Sequence, residues 1–373
     1  MKRSIVKATL LAASLSAAVA LAVGCGSSDD PPAGAEVLSF ELADSGCVPS
    51  DAKAQAGPIT FEVENGGTSA VTEMEIMEGD AILGERENLS DGLSGSFSLN
   101  LEPGKYTIYC PGGSEERGTL TVSGRTGAAA TEGEKEAVKQ YRKFLEKNTD
   151  ELVAETETFV DAVIAGNLEE AKDLYAAARI PYERIEPVAE SFGDLDPRID
   201  ARENDAPVGH FGGFHRIEKA LWVEETTAGM TPIAKELLAN VHELERKVKT
   251  VDLEAAQIAN GANELLGEVS ASKITGEEER YSHIDLVDFE ANVEGAEAAF
   301  EAVKPLLEET DSGLADEIEA SFEDVYASLK PYRRGEGFVS YSELTPSDTR
   351  KLAQEIDALA ELLSQVPVEI VGT

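Results

Sequence analysis

Two kinds of hydrophobic pattern divide the chain. From residue 36 to about residue 123, hydrophobic and polar residues alternate in short runs, such as TFEVE at residues 60–64. Turn-forming residues separate these runs, for example NGG at 65–67 and PG at 103–104. Alternation with a period of two, interrupted by turns, is typical of a small β-sandwich. The predicted strands are Val37–Leu42, Ile59–Glu64, Ser94–Leu101, Tyr106–Cys110 and Thr119–Val122.

The second pattern extends from Glu132 to about Ser364, where hydrophobic residues recur every three or four positions. This period predicts amphipathic helices, with Gly166 as a helix stop and Asn167 and Ser347 as N-caps. Some eight helices with short loops predict an all-α domain, either one bundle or two bundles packed together, with any ligand site between facing helices. The predicted helices are Glu151–Ala165, Leu168–Ala178, Tyr182–Phe192, Pro232–Lys249, Leu253–Ser270, Leu286–Val303, Leu314–Leu329 and Asp348–Leu363.

The N terminus has the pattern of an export signal. Basic residues at positions 2, 3 and 7 precede an apolar run from Ala8 to Val23, and polar residues follow Cys25. This order is typical of a signal peptide rather than of a structural helix. The residues before Cys25 resemble a lipobox, so residues 1–25 are predicted to be a lipoprotein signal peptide ending at a lipidated Cys25. The alternative is an ordinary cleaved signal peptide.

The remaining boundaries follow from changes in composition. Residues 26–35 are predicted to be a tether, 36–123 the β-sandwich, 124–134 a linker and 135–373 the helical domain. No second apolar run approaches the ~20 residues that a membrane span needs. The mature protein is therefore expected outside the cytoplasm, either anchored to the cell membrane by its lipid or free in the periplasm.

The charge of the chain excludes one class of partner. Its 373 residues include 72 Asp and Glu against 32 Lys and Arg, a formal net charge of −40. Such a surface repels nucleic acid, and the sequence offers no basic stripe that would compensate. A negative field raises the local concentration of cations. The alternative is that the charge only keeps an exported protein soluble.

The β domain contains two cysteines besides the one in the signal, Cys47 and Cys110. In an oxidising compartment, such a pair predicts a disulfide. The alternative is a thiolate–carboxylate metal site that uses nearby acids, notably Glu73 and Glu75 with Glu78 close by. Residues 103–113 (PGKYTIYCPGG) resemble the late strand and turn of cupredoxins. A blue-copper site also needs two histidines, but the first histidine of the chain is His210, so electron transfer through copper is not supported.

The helical domain contains a sharper metal-binding candidate. In the segment GGFHRIEKALW at residues 212–222, His215 and Glu218 are three positions apart. On a helix, both side chains lie on one face and can bind one ion. Gly212 and Gly213 before them allow close approach of a backbone or a ligand. The alternative is a hydrogen-bonded His–Glu pair at the surface.

Two acidic segments could add oxygen ligands, which suit hard cations and, together with an imidazole, iron or zinc. For any single acid, the alternative is a solvated helix face, and Ser282 or Asp285 could simply cap a helix. The first segment contains Tyr182, Glu186 and Glu190, followed by Asp194, Asp196, Asp200, Glu203 and Asp205. The second contains Asp285, Asp288, Asn292 and Glu294.

The order of these features resembles a known family. An export signal, a cupredoxin-like β domain and an imelysin-like helical domain follow one another in the EfeO family, the extracytoplasmic iron-binding components of EfeUOB-type uptake systems. The resemblance covers nearly the whole mature chain. It rests on residues 162–168, 182–187, 194–203, 213–222, 281–289 and 292–296.

The resemblance implies an iron-binding protein rather than an enzyme, with His215 and Glu218 on the family's His-x-x-Glu motif. Glu186 and Asp288 are our candidates for further ligands. A second site for iron, copper or zinc is implied around Cys47, Glu75 and Cys110. The implied partners are a haem peroxidase and a membrane permease of the same uptake system.

Three other functions are alternatives. Imelysin-like domains have been classed as metallopeptidases, but zincins need His-Glu-x-x-His, and the inverted motif needs a histidine where Lys219 stands. A binding protein for zinc, copper or a polysaccharide is the second alternative, although a net charge of −40 disfavours a polyanion unless a metal bridges it. The third is a surface lipoprotein without a ligand, which the clustered motifs disfavour.

Overall fold

A computed structural model describes residues 36–125, 130–193, 195–204, 206, 209–335 and 337–371. The predicted signal peptide, the lipid attachment at Cys25 and the tether lie outside these ranges. Among the described residues, no helix is both long and apolar enough to cross a membrane. The predicted order, a β domain followed by a helical domain, is confirmed.

The β domain contains two sheets, with strand orders β2-β1-β4-β7 and β3-β9-β8-β5-β6. Strand pairs β1–β4 and β3–β9 are parallel, and the other pairs are antiparallel. Phe61 and Phe97 stack in the core with ring centroids 4.9 Å apart. The strands are β1 Glu36–Ala43, β2 Gly46–Val48, β3 Asp51–Gln55, β4 Gly57–Asn65, β5 Met74–Glu78, β6 Ala81–Arg86, β7 Ser94–Leu101, β8 Gly104–Tyr109 and β9 Arg117–Ser123.

The helical domain begins at Glu132, inside the predicted linker. Thr131 and Glu134 form a capping box there, which fixes the start of the first helix. The helices are α1 Glu132–Ala165, α2 Leu168–Ile185, α3 Leu195–Asp200, α4 Gly213–Trp222, α5 Thr231–Val248, α6 Ala255–Ala271, α7 Asp285–Thr310, α8 Ser312–Leu329, α9 Pro346–Leu363 and α10 Val366–Ile370.

Several predicted helix ends need correction. The predicted break after Ala178 is absent: α2 continues through Pro181, and a 3-10 turn at Glu186–Phe192 follows it. The capping residue of α9 is Thr345 rather than Ser347, because the Thr345 side chain accepts from the backbone N–H of Asp348. Asn167 stands at the N-cap of α2 but makes no capping hydrogen bond. Gly166 ends α1 in the left-handed region, as predicted.

The buried hydrophobic side chains of the helical domain form one continuous core, so its helices do not divide into two separate bundles. Phe159 of α1, Tyr175 of α2 and Phe214 of α4 meet there, with ring centroids 5.6–6.3 Å apart. Such aromatic contacts add to the hydrophobic burial. They hold α4, which bears His215 and Glu218, against α1 and α2.

The β domain packs on the helical domain through β6 and β7. The side-chain amide of Asn260 in α6 donates to the carbonyl of Ser98 at 2.8 Å, and Arg86 pairs with Glu264 at 3.2 Å. Gly261 of α6 is essential to a second contact, because a Cβ there would lie 1.7 Å from the carbonyl oxygen of Pro187. The 3-10 turn therefore packs directly on α6, next to the β domain.

Candidate metal centre

Helix α4 places His215 and Glu218 in the interior. Gly213 at its start has φ 62°, and a Cβ there would lie 2.1 Å from the carbonyl oxygen of Ile199. Only glycine therefore allows α4 to begin against α3. His215 is 2% exposed and Glu218 is fully buried. The His215 Nδ1 atom lies 3.3 Å from Glu218 Oε2, so the predicted pair forms, but inside the domain rather than at its surface.

The other ring nitrogen of His215 faces two further carboxylates. Nε2 lies 3.3 Å from Glu278 Oε1 and 3.6 Å from Asp200 Oδ1. Neither contact has the alignment of a hydrogen bond. Two sets of groups could hold an ion, because their candidate ligand atoms lie within 4.8 Å of one another: Asp200, His215 and Glu278; and His215, Glu218 and Glu279.

The segment before α7 orients these carboxylates. Glu218 Oε1 accepts from the backbone N–H groups of Tyr281 at 2.8 Å and Ser282 at 2.7 Å. The Ser282 hydroxyl donates to Glu279. Asp285 Oδ1 accepts from the backbone N–H of Glu279 at 3.1 Å. Neither Ser282 nor Asp285 caps α7, whose N-cap is Ile284 without a side-chain hydrogen bond; both instead hold the ligand-bearing segment.

A fully buried arginine, Arg179 of α2, stands among the acids. Its guanidinium lies 3.0 Å from Glu279 and 3.2 Å from Asp288. It also pairs with Glu183 and Asp200 and lies 3.6 Å from Glu278. The predicted ligand Asp288 faces Arg179 and belongs to neither of the two sets around His215.

The predicted ligand Glu186 lies in a neighbouring cluster. It pairs with the buried Lys273 and accepts from the side-chain amide of Asn292 at 2.6 Å. Lys273 also lies 3.6 Å from Glu183. Glu186 is thus linked to the His215 cluster through Glu183 and Arg179, but it is not brought to the imidazole. The cation beside Glu186 is the ammonium group of Lys273.

The electrostatics of the cluster reflect an excess of buried carboxylates. Burial and the Arg179 charge oppose protonation of His215, but the carboxylates of Glu218 and Glu278 outweigh them and raise its pKa to about 10. Burial and the neighbouring Glu183 raise the pKa of Asp288 to about 8. Burial and the nearby Glu218 and Asp288 hold the pKa of Glu279 well above its usual range. The cluster therefore retains protons that an incoming cation would displace.

In the β domain, Cys47 and Cys110 are joined as a disulfide with a Cα–Cα distance of 5.8 Å. Neither sulfur is a thiolate in this form, so a metal site that uses them remains a prediction for the reduced protein. Glu75 is nearby, since it stands opposite Tyr109, the neighbour of Cys110, in the β5–β8 ladder. Among the described residues of this domain, no three His, Cys, Asp or Glu side chains meet in metal-binding geometry.

The other acids singled out in the sequence are dispersed. Tyr182 donates to Asp196, Glu203 pairs with Lys219 and accepts from Tyr281, and Glu294 pairs with Arg184 at 2.6 Å. Asp194, Asp205 and the side chain of Glu190 lie outside the described part of the chain. These contacts place none of the described members of this group at the imidazole of His215.

Sequence reasoning missed part of the centre. Asp200 was recognised only as one acid among several, and Arg179, Glu278 and Glu279 were not singled out. The only available signal was the unusual position of Arg179 on an otherwise hydrophobic helix face and the run of acids at 277–279 just before Tyr281. In a chain with 72 acids, such a run reads as a solvated surface.

Comparison with known proteins agrees with both domains. The imelysin family matches residues 137–366, and the cupredoxin-like domain family matches residues 14–122. "Iron uptake system component EfeO" of Escherichia coli K12 is 39% identical over 338 residues, which is 88% of this chain and 90% of the relative. The EfeO proteins of Shigella flexneri and Shigella sonnei match equally well.

One solved structure, a purple cupredoxin from Nitrosopumilus maritimus, aligns with 23% of this chain and 98% of its own at 15% identity. Its TM-score of 0.19 is too low to add to the fold assignment. The sequence relationships are decisive, since they cover both domains and most of the chain. This chain belongs to the imelysin family, and specifically to its EfeO-type members, in which a cupredoxin-like domain precedes the helical domain.

Proposed function

We propose that this protein captures iron outside the cytoplasm as the binding component of an uptake system. Its relatives in Escherichia coli and Shigella are named as iron uptake system components. The observation that carries the proposal is the position of His215, a buried imidazole whose two ring nitrogens face carboxylates on both sides. One imidazole with several carboxylates suits iron better than calcium or magnesium, which prefer oxygen alone.

We treat the two ligand sets as alternatives for one ion, because both include His215. We favour Nε2 with Asp200 and Glu278. This nitrogen makes no hydrogen bond, whereas Nδ1 already contacts Glu218. A metal-binding histidine commonly donates its second N–H to a carboxylate that orients it. In this arrangement Glu218, held by two backbone N–H groups, orients the imidazole, and Arg179 keeps Glu183, Glu279 and Asp288 as partners.

The remaining parts of the proposal concern attachment and transfer. A lipid on Cys25 would hold the protein at the membrane, and the bound iron would pass to a haem peroxidase and a permease of the same system. The order of basic, apolar and polar residues before and after Cys25 supports the anchor. Replacement of Cys25 by Ser should release the protein from membranes; continued membrane attachment would contradict the lipid anchor. Crosslinking in cells should capture a peroxidase or a permease of the same system. If it captures neither, the transfer step is contradicted.

Ion selectivity tests the proposal. The purified mature protein is titrated with ferrous iron alone, without oxygen, and separate samples are titrated with zinc or copper, because copper and zinc outcompete ferrous iron at most nitrogen and oxygen sites when the metals are mixed in equal amounts. We expect tight binding of iron that is lost on chelation. A protein that binds zinc or copper but takes up no ferrous iron would favour the second candidate, a binding protein for another metal. Direct binding of a polysaccharide by a protein that takes up no metal would contradict both candidates.

A further inference from the structure

A cavity of about 280 Å³ lies where the β domain meets the helical domain. Ile82 and Leu83 of β6 form one wall. The 3-10 turn Glu186–Phe192 and helix α6 form the facing walls. The cavity thus exists only because the two domains pack on each other, and neither domain alone encloses it.

The cavity reaches the His215 cluster. Asp200 and Glu278 line it, and the same two side chains face the Nε2 atom of His215. They retain 8% and 4% exposure, whereas Glu218 and Glu279 have none. The Nε2 atom itself, on a side chain that is 2% exposed, makes no hydrogen bond. The unpartnered nitrogen therefore lies directly behind two carboxylates of the cavity wall.

The wall of the cavity is acidic along its whole length. It includes eight carboxyl side chains but only two cationic side chains, Arg202 and Lys273. Both cations are already in ion pairs, Arg202 with Glu278 at 3.3 Å and Lys273 with Glu186. A concave surface lined by one sign of charge focuses the field and concentrates ions of the opposite sign. Other carboxyl groups of the wall continue from Glu264 and Glu268 of α6 to Asp200. Of these, Glu264 pairs with Arg86 and Asp200 with Arg179.

The volume and charge of the cavity indicate what can enter it. Each water needs about 10–15 Å³ of the volume open to its centre, so the 280 Å³ cavity has room for an ion with six first-shell waters. A chelate that carries net negative charge would be repelled by the acidic wall.

We propose that this interdomain cavity is the access route by which iron reaches His215 as a hydrated cation free of any chelator, and that Glu268 guides it. The proposal rests on the function proposed above and adds its substrate class. The β domain then has a role in iron capture that requires no metal of its own, since β6 supplies one wall of the route.

The route predicts a kinetic signature that differs from that of a ligand. Ile82→Trp narrows the cavity from the β side and leaves the residues His215, Asp200 and Glu278 unsubstituted. A steric barrier slows association and dissociation by the same factor and leaves the equilibrium unchanged. We expect both rate constants for ferrous iron to fall about tenfold, about 1.4 kcal/mol in each activation free energy, while Kd stays constant. Ile164→Trp is the matched control, because Ile164 is 39% exposed on α1 and does not line the cavity.

The rates are measured without oxygen by mixing protein with ferrous salt and trapping unbound iron with a coloured chelator at set times. Thermal unfolding first establishes that each variant is folded. Glu268→Gln, which keeps the shape of the side chain, is the second variant; its association rate should fall and depend less on ionic strength. Unchanged rates in folded Ile82→Trp and Glu268→Gln, with wild-type binding intact, would overturn the route but not the proposed function. Absence of iron binding by the wild type would overturn both.

A ferric citrate probe addresses the substrate class. If only the free cation passes, the metal must first leave citrate, and the binding rate at high protein concentration should become independent of protein concentration. A rate that keeps rising in proportion to protein concentration would show direct uptake of the chelate and overturn the proposal.

Discussion

The helical domain contains the His-x-x-Glu spacing twice, at His215–Glu218 in α4 and at His242–Glu245 in α5. The α5 pair is partly exposed, with 38% and 24% of the side chains accessible, and His242 lies 3.6 Å from both Glu245 and Glu157. The α4 pair is buried, and Asp200, Glu278 and Glu279 converge on it from other elements. The spacing alone therefore does not make a site; burial and acids brought together by the fold distinguish the two pairs.

The largest loss of stability is expected from replacing Arg179, the cation that stands among the buried carboxylates. Arg179→Met should lower the free energy of unfolding by about 3–5 kcal/mol, because several buried carboxylates lose their partner. The matched change Arg334→Met, at an ion pair with 68% and 52% exposure, should cost about 0–1 kcal/mol. Chemical denaturation of both variants gives the comparison. Equal, small losses would mean that Arg179 does not balance the cluster.

The same variant should show a distinctive pH dependence. Without Arg179, the folded-state pKa values of Glu279 and Asp288 rise further above their unfolded values. The pKa values of Glu183 and Glu278, which Arg179 helps to lower, rise as well. Stability from such groups is present at low pH and is lost as the pH rises through the folded-state pKa. Arg179→Met should therefore be closest to the wild type near pH 5 and furthest from it near pH 8. A destabilisation that shrinks as the pH rises would have the wrong sign.

Some parts of the fold could be predicted from the sequence alone, and others could not. Strand β7 and helix α8 were predicted closely, because apolar and polar residues alternate in β7, as in FSLNL at residues 97–101, and apolar residues recur every three or four positions along α8. Strand β5 was missed: its residues MEIM are all buried between β8 and β6, so no alternation remains to be seen. The first half of α1 was missed because charged residues surround its narrow buried stripe of Ala137, Tyr141 and Leu145.

For the candidate site, the sequence predicted His215 and Glu218, since their spacing is local. Asp200 and Glu278 reach the imidazole only through tertiary packing, 15 and 63 positions away in the chain. The predicted ligands Glu186 and Asp288 belong to neither set of candidate ligands around His215. They pair with Lys273 and Arg179, which no local pattern connects to them.

Replacing one ligand from each of the two sets around His215 should show which set holds the ion. Asp200→Asn should weaken iron binding about 10–100-fold if the ion uses Nε2 of His215, with a smaller loss in Glu279→Gln. Calorimetric titration of both variants under anaerobic conditions measures the difference. The opposite order would place the ion at Nδ1, with Glu218 and Glu279.

Iron affinity should also depend on pH. Because the neighbouring carboxylates raise the pKa of His215 to about 10, the ion must displace a proton throughout the neutral range. Affinity should rise about tenfold per pH unit between about pH 6 and pH 9, with about one proton released per ion. Titrations in buffers of different ionisation enthalpy count these protons. An affinity that is unchanged down to about pH 4 would contradict a ligand set of imidazole and carboxylates.

The smallest changes in iron affinity and stability are expected at the α5 pair, His242 and Glu245. His242→Ala/Glu245→Ala should change iron affinity by less than about twofold and stability by at most about 1 kcal/mol, since exposed ion pairs contribute little. It therefore serves as the control for the buried pair.

The most direct test is iron binding by the mature protein in three forms: the wild type, His215→Ala/Glu218→Ala and His242→Ala/Glu245→Ala. Circular dichroism establishes the fold of each, and His215→Gln provides a milder variant should the double change unfold the domain. Tight binding that is lost in the buried-pair variants and retained in the exposed-pair variant is the predicted result. Binding that survives in a folded His215→Ala/Glu218→Ala protein would contradict the assignment of the iron site to the cluster around His215.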